Sequence, residues 1–399
     1  MPVPALSLDL VRLVVEHLEA DHLHCSTATR EAGLALALVC KSWRSIGLAL
    51  IWRFFFVALD EDRLPRLKTL VKAGVGRPLI KHLHLYDTNN SAQTRARGTF
   101  MQCEVSDEAL ELVKEFVGGC TSLQSLVLKV FSPSATGATI EAVLSSLASP
   151  YFTHLFLGCA DYPAFSAPAF IQLLANLPTL RKLDAMMLIS SVSVNRIEPS
   201  QSVVLSLKTM ELNFASIGSG DGSTVALRAL AKCLDRTSLR KCLVHMLPSQ
   251  TFFVGSLTSC TNLSALRLTF EDSAKIREAL PALLPILPRF SSLEDLQIGV
   301  KDSKLMEESA DLPSPVSTRA FLAALPPTLH AVLLSGVFLL WSPDDFLPSL
   351  PIQRFQAFLD VAKTTLLCFG AASGGRVERA MLAKVKLPGA AEAVWCRLC

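Results

Sequence analysis

The chain has 399 residues, 50% of them hydrophobic and only 18% charged, with a mean hydropathy of +0.40, which excludes a disordered chain, because disorder needs low hydrophobicity and high charge, and gives length enough for one large or two to three ordinary domains. Its 38 basic and 35 acidic residues leave a net charge of +3 with no sustained basic stripe, so the electrostatic footprint of a nucleic-acid binder is missing. The longest apolar runs, around Ala331 to Trp341, reach about eleven residues, well short of the roughly 20 that a membrane-crossing helix needs.

The first residues lack a basic leader, and Asp9 and Arg12 interrupt the early apolar run, which argues against a secretory signal and predicts a cytoplasmic or nuclear protein. Eleven scattered cysteines, several in apolar surroundings such as Val39-Cys40 and Leu367-Cys368, read as reduced small hydrophobes rather than a disulfide framework. From Leu6, the positions Leu6, Leu10, Leu13, Val14 and Leu18 recur three or four apart, opposite Asp9, Arg12, Glu16 and Glu19. This spacing predicts an amphipathic helix. The polar stretch ADHLHCSTATREAG then predicts a turn, and Leu34 to Ile46 and Leu48 to Phe56 resume a helix-capable pattern, giving a small three-helix bundle that ends near Phe56.

Within that bundle the elements LSLDL (Leu6 to Leu10), ADHL (with Asp21 and Leu23), LVCKSWR (Leu38 to Arg44) and the closing Ile51-Trp52 together resemble the F-box family. The family pattern has Pro where Ser7 stands and Glu where Asp9 stands, and a shorter segment between Leu23 and Leu34. The resemblance covers about the first 55 residues. It implies that Leu6, Leu10, Val14, Leu38, Val39, Trp43 and Trp52 form or support a docking surface for a Skp-type adaptor and, through it, a cullin of a ubiquitin ligase. The alternative for the same residues is an apolar helical cap on the domain behind it.

After a basic connector over residues 61–78, a unit of pattern LxxLxL recurs: IKHLHL from Ile80, LQSLVL from Leu123, FTHLFL from Phe152, LKTMEL from Leu207, LSALRL from Leu263, LEDLQI from Leu293 and LHAVLL from Leu329. Weaker copies start at Leu180, Leu239 and Ile352, giving successive spacings of 43, 29, 28, 27, 32, 24, 30, 36 and 23 residues. A period of about 20 to 29 residues is the mark of leucine-rich repeats, and the longer spacings hold insertions. The last two apolar residues of each unit share one side of an extended segment. Between units, Ser106 to Phe116, Thr139 to Leu147, Ser223 to Leu234 and Ser317 to Leu325 have helical spacing, with Ser106, Ser223 and Ser317 placed as N-caps. The position where such repeats carry Asn or Cys holds Thr88, Phe131, Ala160, Ala215 and Glu271 instead, so an Asn ladder is absent.

The expected fold is therefore α/β: a small N-terminal helical F-box-like bundle over residues 1–60, then an irregular leucine-rich-repeat solenoid with a parallel sheet over 79–399. A nonrepetitive α/β domain is the competing reading. Strand geometry turns the residues flanking the inward pair toward the open face of the sheet. That places His82, His84, Tyr86, Ser125, Val127, Lys129, His154, Phe156 and Gly158 there, followed by Lys182, Asp184, Met186, Thr209, Glu211, Asn213, Lys241, Leu243, His245, Arg267, Gln297 and Arg354. Aromatic residues with polar neighbours make interface anchors, so His84, Tyr86, His154 and Phe156 are the candidate target-binding patch.

Chemistry is sparsely encoded. The terminal Cys396-x-x-Cys399 lacks a second pair, the group His22, His24 and Cys25 is far from it in sequence, and GSGDG (Gly218 to Gly222) has neither the spacing nor the Lys of a phosphate loop. Arg397 spoils the outline of a prenylation box. No catalytic, cofactor or metal residue is predicted. The leading expectation is a substrate receptor of a Skp-cullin-F-box ubiquitin ligase, with a protein target and neither nucleic acid nor membrane as partner. A leucine-rich scaffold without a ubiquitin role and an α/β hydrolase are the alternatives.

Overall fold

The computed structural model describes residues 26–39, 41–58, 64–74, 76–86, 107–129, 137–190, 203–215, 221–300, 321, 324–329, 331–335, 366–373, 376–385 and 394–397. The class is α/β, with parallel strands alternating with helices. The chain divides into two compact units, Met1–Phe165 with Met186–Leu188, and Ser166–Ala185 with Ile189–Cys399.

In the first unit, α1 (Ser26–Val39) and α2 (Lys41–Arg53) form a hairpin. The helix α1 starts inside the stretch predicted as a turn, because Ser26 to Ala37 is rich in Ala, with Arg30 and Glu31 among the good helix formers. The two helices approach most closely where Gly47 faces Gly33: a Cβ on Gly47 would lie 2.5 Å from the Gly33 carbonyl oxygen and 2.5 Å from the Ala37 nitrogen. The bundle predicted to run to Phe56 stops earlier. Helix α2 ends at Arg53 and the next residues form strand β1 (Phe54–Ala58), since the FFFVA run is made of strand-favouring aromatic and β-branched residues and finds a partner strand.

The basic connector contains a helix, α3 (Leu64–Ala73), whose Leu67 and Val71 are buried one turn apart. There follow β2 (His82–Tyr86), α4 (Asp107–Gly118), β3 (Ser125–Lys129), α5 (Gly137–Ser145) and β4 (His154–Ser166). Strands β1 to β4 pair in parallel and in chain order, aligning Phe54 with His82, Ser125 and His154, and Phe56 with His84, Val127 and Phe156. The intervening Leu83, Leu85, Leu126, Leu128, Leu155 and Leu157 are buried. On this inner side Phe55 meets Phe116 of α4 with ring centroids 5.6 Å apart.

The second unit contains α6 (Ala167–Ala175), most of β5 (Lys182–Ser190), β6 (Thr209–Ala215), α7 (Asp221–Cys233), β7 (Lys241–His245), α8 (Thr251–Leu257), β8 (Ala265–Phe270), α9 (Ser273–Leu283), β9 (Asp295–Val300) and β10 (Ala331–Ser335). Strands β11 (Leu366–Ser373), β12 (Arg376–Val385) and β13 (Val394–Arg397) complete it. Pairing is parallel from β6 through β11, then antiparallel from β11 to β12 and from β12 to β13. That antiparallel ending was not foreseen. The repeat expected at Ile352 lies outside the described residues, as do Ser106 and Ser317.

Each strand from β2 to β10 begins two residues after its predicted repeat start. The reason is a backbone rung that recurs at the same position of successive units. The Lys81 carbonyl accepts from the N–H groups of Gln124 and Ser125, and the Gln124 carbonyl from Thr153 and His154. In the second unit the carbonyls of Arg181, Lys208, Arg240 and Ser264 each accept the corresponding pair from the following strand. Hydroxyls do part of the work of the missing Asn ladder, satisfying carbonyls that would otherwise be buried without partners: Ser149 Oγ donates to the Leu123 carbonyl at 2.7 Å, Ser238 Oγ to Leu207 at 2.9 Å and Thr328 Oγ1 to Leu293 at 2.8 Å.

One local expectation is corrected. Ser223 is not an N-cap, because α7 begins two residues earlier at Asp221, within the GSGDG stretch. Its buried hydroxyl instead accepts from Gln250 Nε2 at 2.9 Å. Among the described residues, no helix is long and apolar enough to cross a membrane.

Candidate functional site

Two surfaces hold the residues singled out from the sequence. The first is the corner between α1 and α2. Leu38 is 84% and Val39 60% exposed, and Leu34 and Leu48 are exposed beside them in the hairpin. Large aliphatic residues exposed together, at the end of one helix and on the next, leave apolar area for another molecule to cover. Trp43 is half-buried. Trp52 turns inward: its ring stacks on Phe55 at 5.4 Å and lies against Gly76, whose φ of 83° and lack of a Cβ allow the contact, since a Cβ there would sit 2.4 Å from the indole. Trp52, at the far end of α2 from the corner, joins that helix to the strands. Leu6, Leu10 and Val14 lie outside the described residues.

The second surface is the open face of β1 to β4. The parallel register sets His84 between Phe56 and Val127, with Phe156 on the next strand, and puts Tyr86 beside Lys129. His84, Tyr86 and Phe156 are half-buried and His154 is exposed, so the four predicted target-binding residues share one face. Sequence reasoning missed Phe54 and Phe56 as members of it. Phe54 stacks on His82 with centroids 4.5 Å apart, and Phe56 meets His84 at 4.6 Å. The signal was the FFFVA run, read as the end of a helix. Lys129 Nζ lies 5.3 Å from the centroid of the Phe156 ring, a cation–π geometry that holds both side chains to the face.

His82 sits half-buried in this face, beside the buried Phe54. Its Nδ1 is 2.7 Å from Ser125 Oγ. Burial first, then the charges of Arg53, His154, His84 and Lys81, lower its pKa to about 4, because desolvation and like charges both disfavour the imidazolium. His82 is thus neutral at physiological pH. His154 Nδ1 lies 2.7 Å from Thr153 Oγ1. What the face offers is flat aromatic area edged by imidazole, phenol and ammonium groups, the chemistry of a binding surface.

Four cysteines whose side chains are described do not contribute reactive groups. Cys120, Cys233, Cys242 and Cys260 are buried and unpaired. Burial pushes the Cys120 thiol up to about 12, and raises those of Cys242, Cys233 and Cys260 as well, so little thiolate is present. Compared with family models and with curated protein sequences, the chain matches neither.

Proposed function

We propose that the chain is a substrate receptor of a Skp-cullin-F-box ubiquitin ligase, in which the α1–α2 corner docks to the Skp-type adaptor and an irregular leucine-rich solenoid presents its open strand face to a protein target. The observation that carries this reading is the exposure of Leu38 and Val39, the apolar opening of the LVCKSWR motif, directly ahead of a strand stack with repeating rungs. A receptor of this kind contributes proximity: holding a target near a ubiquitin-charged enzyme converts an encounter between two molecules into a step within one assembly.

The test is co-purification of the full chain with a recombinant Skp-type adaptor. Leu38→Asp and Val39→Asp place a charge where apolar area would be covered, and because both residues are exposed, thermal stability stays near that of the parent. Retention of the adaptor by the parent and its loss from both variants is the expected result. An adaptor that never binds, or that binds both variants undiminished, leaves a repeat scaffold without a ubiquitin role.

A further inference from the structure

The second unit carries a groove that neither the sequence motifs nor the proposed docking surfaces use. It has a volume of about 570 Å³ and is lined by Arg228, Lys232, Arg236 and Arg289 together with Phe252 and residues of α8 and the turn that follows it. Its size is in the range of ordinary ligand sites. The lining contains four cations and no carboxylate. Arg228 and Lys232 stand one turn apart on the exposed side of α7, Arg236 lies in the non-helical turn after that helix, and Arg289 comes from the 3-10 turn Leu287–Arg289. Like charges one helical turn apart repel, so this row opposes its own helix unless an anion sits against it.

The described surroundings do not supply that anion. No ion pair to a described acid involves any of the four cations. The acid nearest in sequence, Asp235, is turned to its own loop, where its Oδ1 accepts from the Thr237 N–H at 2.9 Å and from Thr237 Oγ1 at 2.8 Å. The groove hydroxyls are likewise engaged: Ser256 donates to the Phe252 carbonyl, Thr258 to Gly255 and Ser259 to Ser256. The donors left to meet a ligand are the guanidinium and ammonium groups. One of them is held in place, since the Arg228 guanidinium lies 5.0 Å from the centroid of the Phe252 ring, where a flat cation stacks on an aromatic face.

We propose that this groove binds an anion carrying two or more phosphoryl groups. Planar guanidinium forks match phosphoryl oxygens two at a time. A phosphoryl group carries about −1.5 to −2 charges at neutral pH, so the four cations balance about two of them. The site is independent of adaptor docking. The phosphoryl groups can come from a free polyphosphate or from phosphorylated side chains of a protein segment, and the test separates these sources.

Calorimetry on the full chain would use sodium tripolyphosphate, a peptide with two phosphoserines one residue apart, and the same peptide with glutamates in their place. Tripolyphosphate is expected to bind, more weakly as salt rises, and the paired substitution Arg228→Gln with Arg289→Gln is expected to weaken it by about tenfold or more. A second pair, Arg236→Gln with Arg289→Gln, spares the stacked Arg228 and gives the same direction. The control pair Lys208→Gln with Lys241→Gln removes two exposed cations elsewhere in the unit and changes binding less than about twofold. Displacement of tripolyphosphate by the phosphopeptide but not the glutamate peptide assigns the site to phosphorylated protein, and no displacement by either peptide assigns it to a free polyphosphate. The proposal is overturned if tripolyphosphate shows no saturable binding, if the control pair weakens it as much as the groove pairs, or if the glutamate peptide displaces tripolyphosphate as well as the phosphopeptide does.

Discussion

The open face of the first unit presents Phe54, Phe56, His82, His84, Tyr86, Ser125, Val127, Lys129, His154 and Phe156 in register. That of the second presents Thr209, Glu211, Asn213, Lys241, Leu243, His245, Arg267, Asp295 and Gln297. The backbone rung is the same in both, and both bury an apolar column on the inner side, almost all Leu in the first unit and Leu, Ile, Met, Val and Cys in the second. The outer chemistry differs: aromatic rings and imidazoles in the first unit, mixed charges and amides in the second. Stacking parallel strands constrains the inner side chains, which must fill a core at close-packed density, and leaves the outer ones to be chosen for what they meet.

The largest effect should come from what the units share. Leu126→Ala in the first and Leu266→Ala in the second each remove a side chain about 1% exposed or less, and should destabilise by about 2–5 kcal/mol, measured by denaturant unfolding. A loss below about 1 kcal/mol at either site would break the equivalence of the two stacks.

The next effect belongs to the first unit alone. The pKa of His82 falls from 6.5 to about 4 in the folded chain, so between those values the unfolded chain binds more protons than the folded one. The associated stability is present above pH 6.5 and is lost as pH falls toward 4, amounting to on the order of 3 kcal/mol at most. Melting temperature followed from pH 7 to pH 4 should therefore drop further for the parent than for His82→Asn. Parallel curves would show that His82 is not held neutral by its surroundings.

Replacing Tyr86 and Phe156 together by Ala should weaken capture of the target by about 2 kcal/mol or more, with adaptor binding and thermal stability almost unchanged. Loss of stability with full retention of targets would transfer recognition to another surface, the mixed-charge face of the second unit being the first to examine. The smallest effect returns to the shared scaffold. Ser149→Ala and Ser238→Ala each remove a hydroxyl that donates to the carbonyl of the preceding repeat, and each should cost about 1 kcal/mol, the buried Ser149 somewhat more than the half-buried Ser238, as read by thermal melts.

Much of the strand stack was legible because an extended chain repeats its facing every two residues. LQSLVL needs only its own six residues to declare that Leu126 and Leu128 face one way and Val127 the other. The same logic placed His84, Tyr86, His154 and Phe156 on one face before their neighbours were known. It failed at Phe54, where an apolar run continuous with α2 carries no periodic break, and the switch from helix to strand depends on the edge that β2 offers. It failed again at Ser223, whose hydroxyl looks like a cap in sequence and answers to Gln250, distant in the chain, in the fold.

Local order along the chain determined the alternation of strands and helices, the inner apolar column and the identity of the residues on the open face, because each depends on periodicity within a few residues. Tertiary structure alone decided what required distant segments to meet. The approach of Gly33 to Gly47, the seat of Trp52 against Gly76, the partly buried His82 and the cations brought together from Arg228 to Arg289 all depend on which surfaces come within a few ångströms. Packing and electrostatic forces act over that distance, and no spacing in the sequence encodes it.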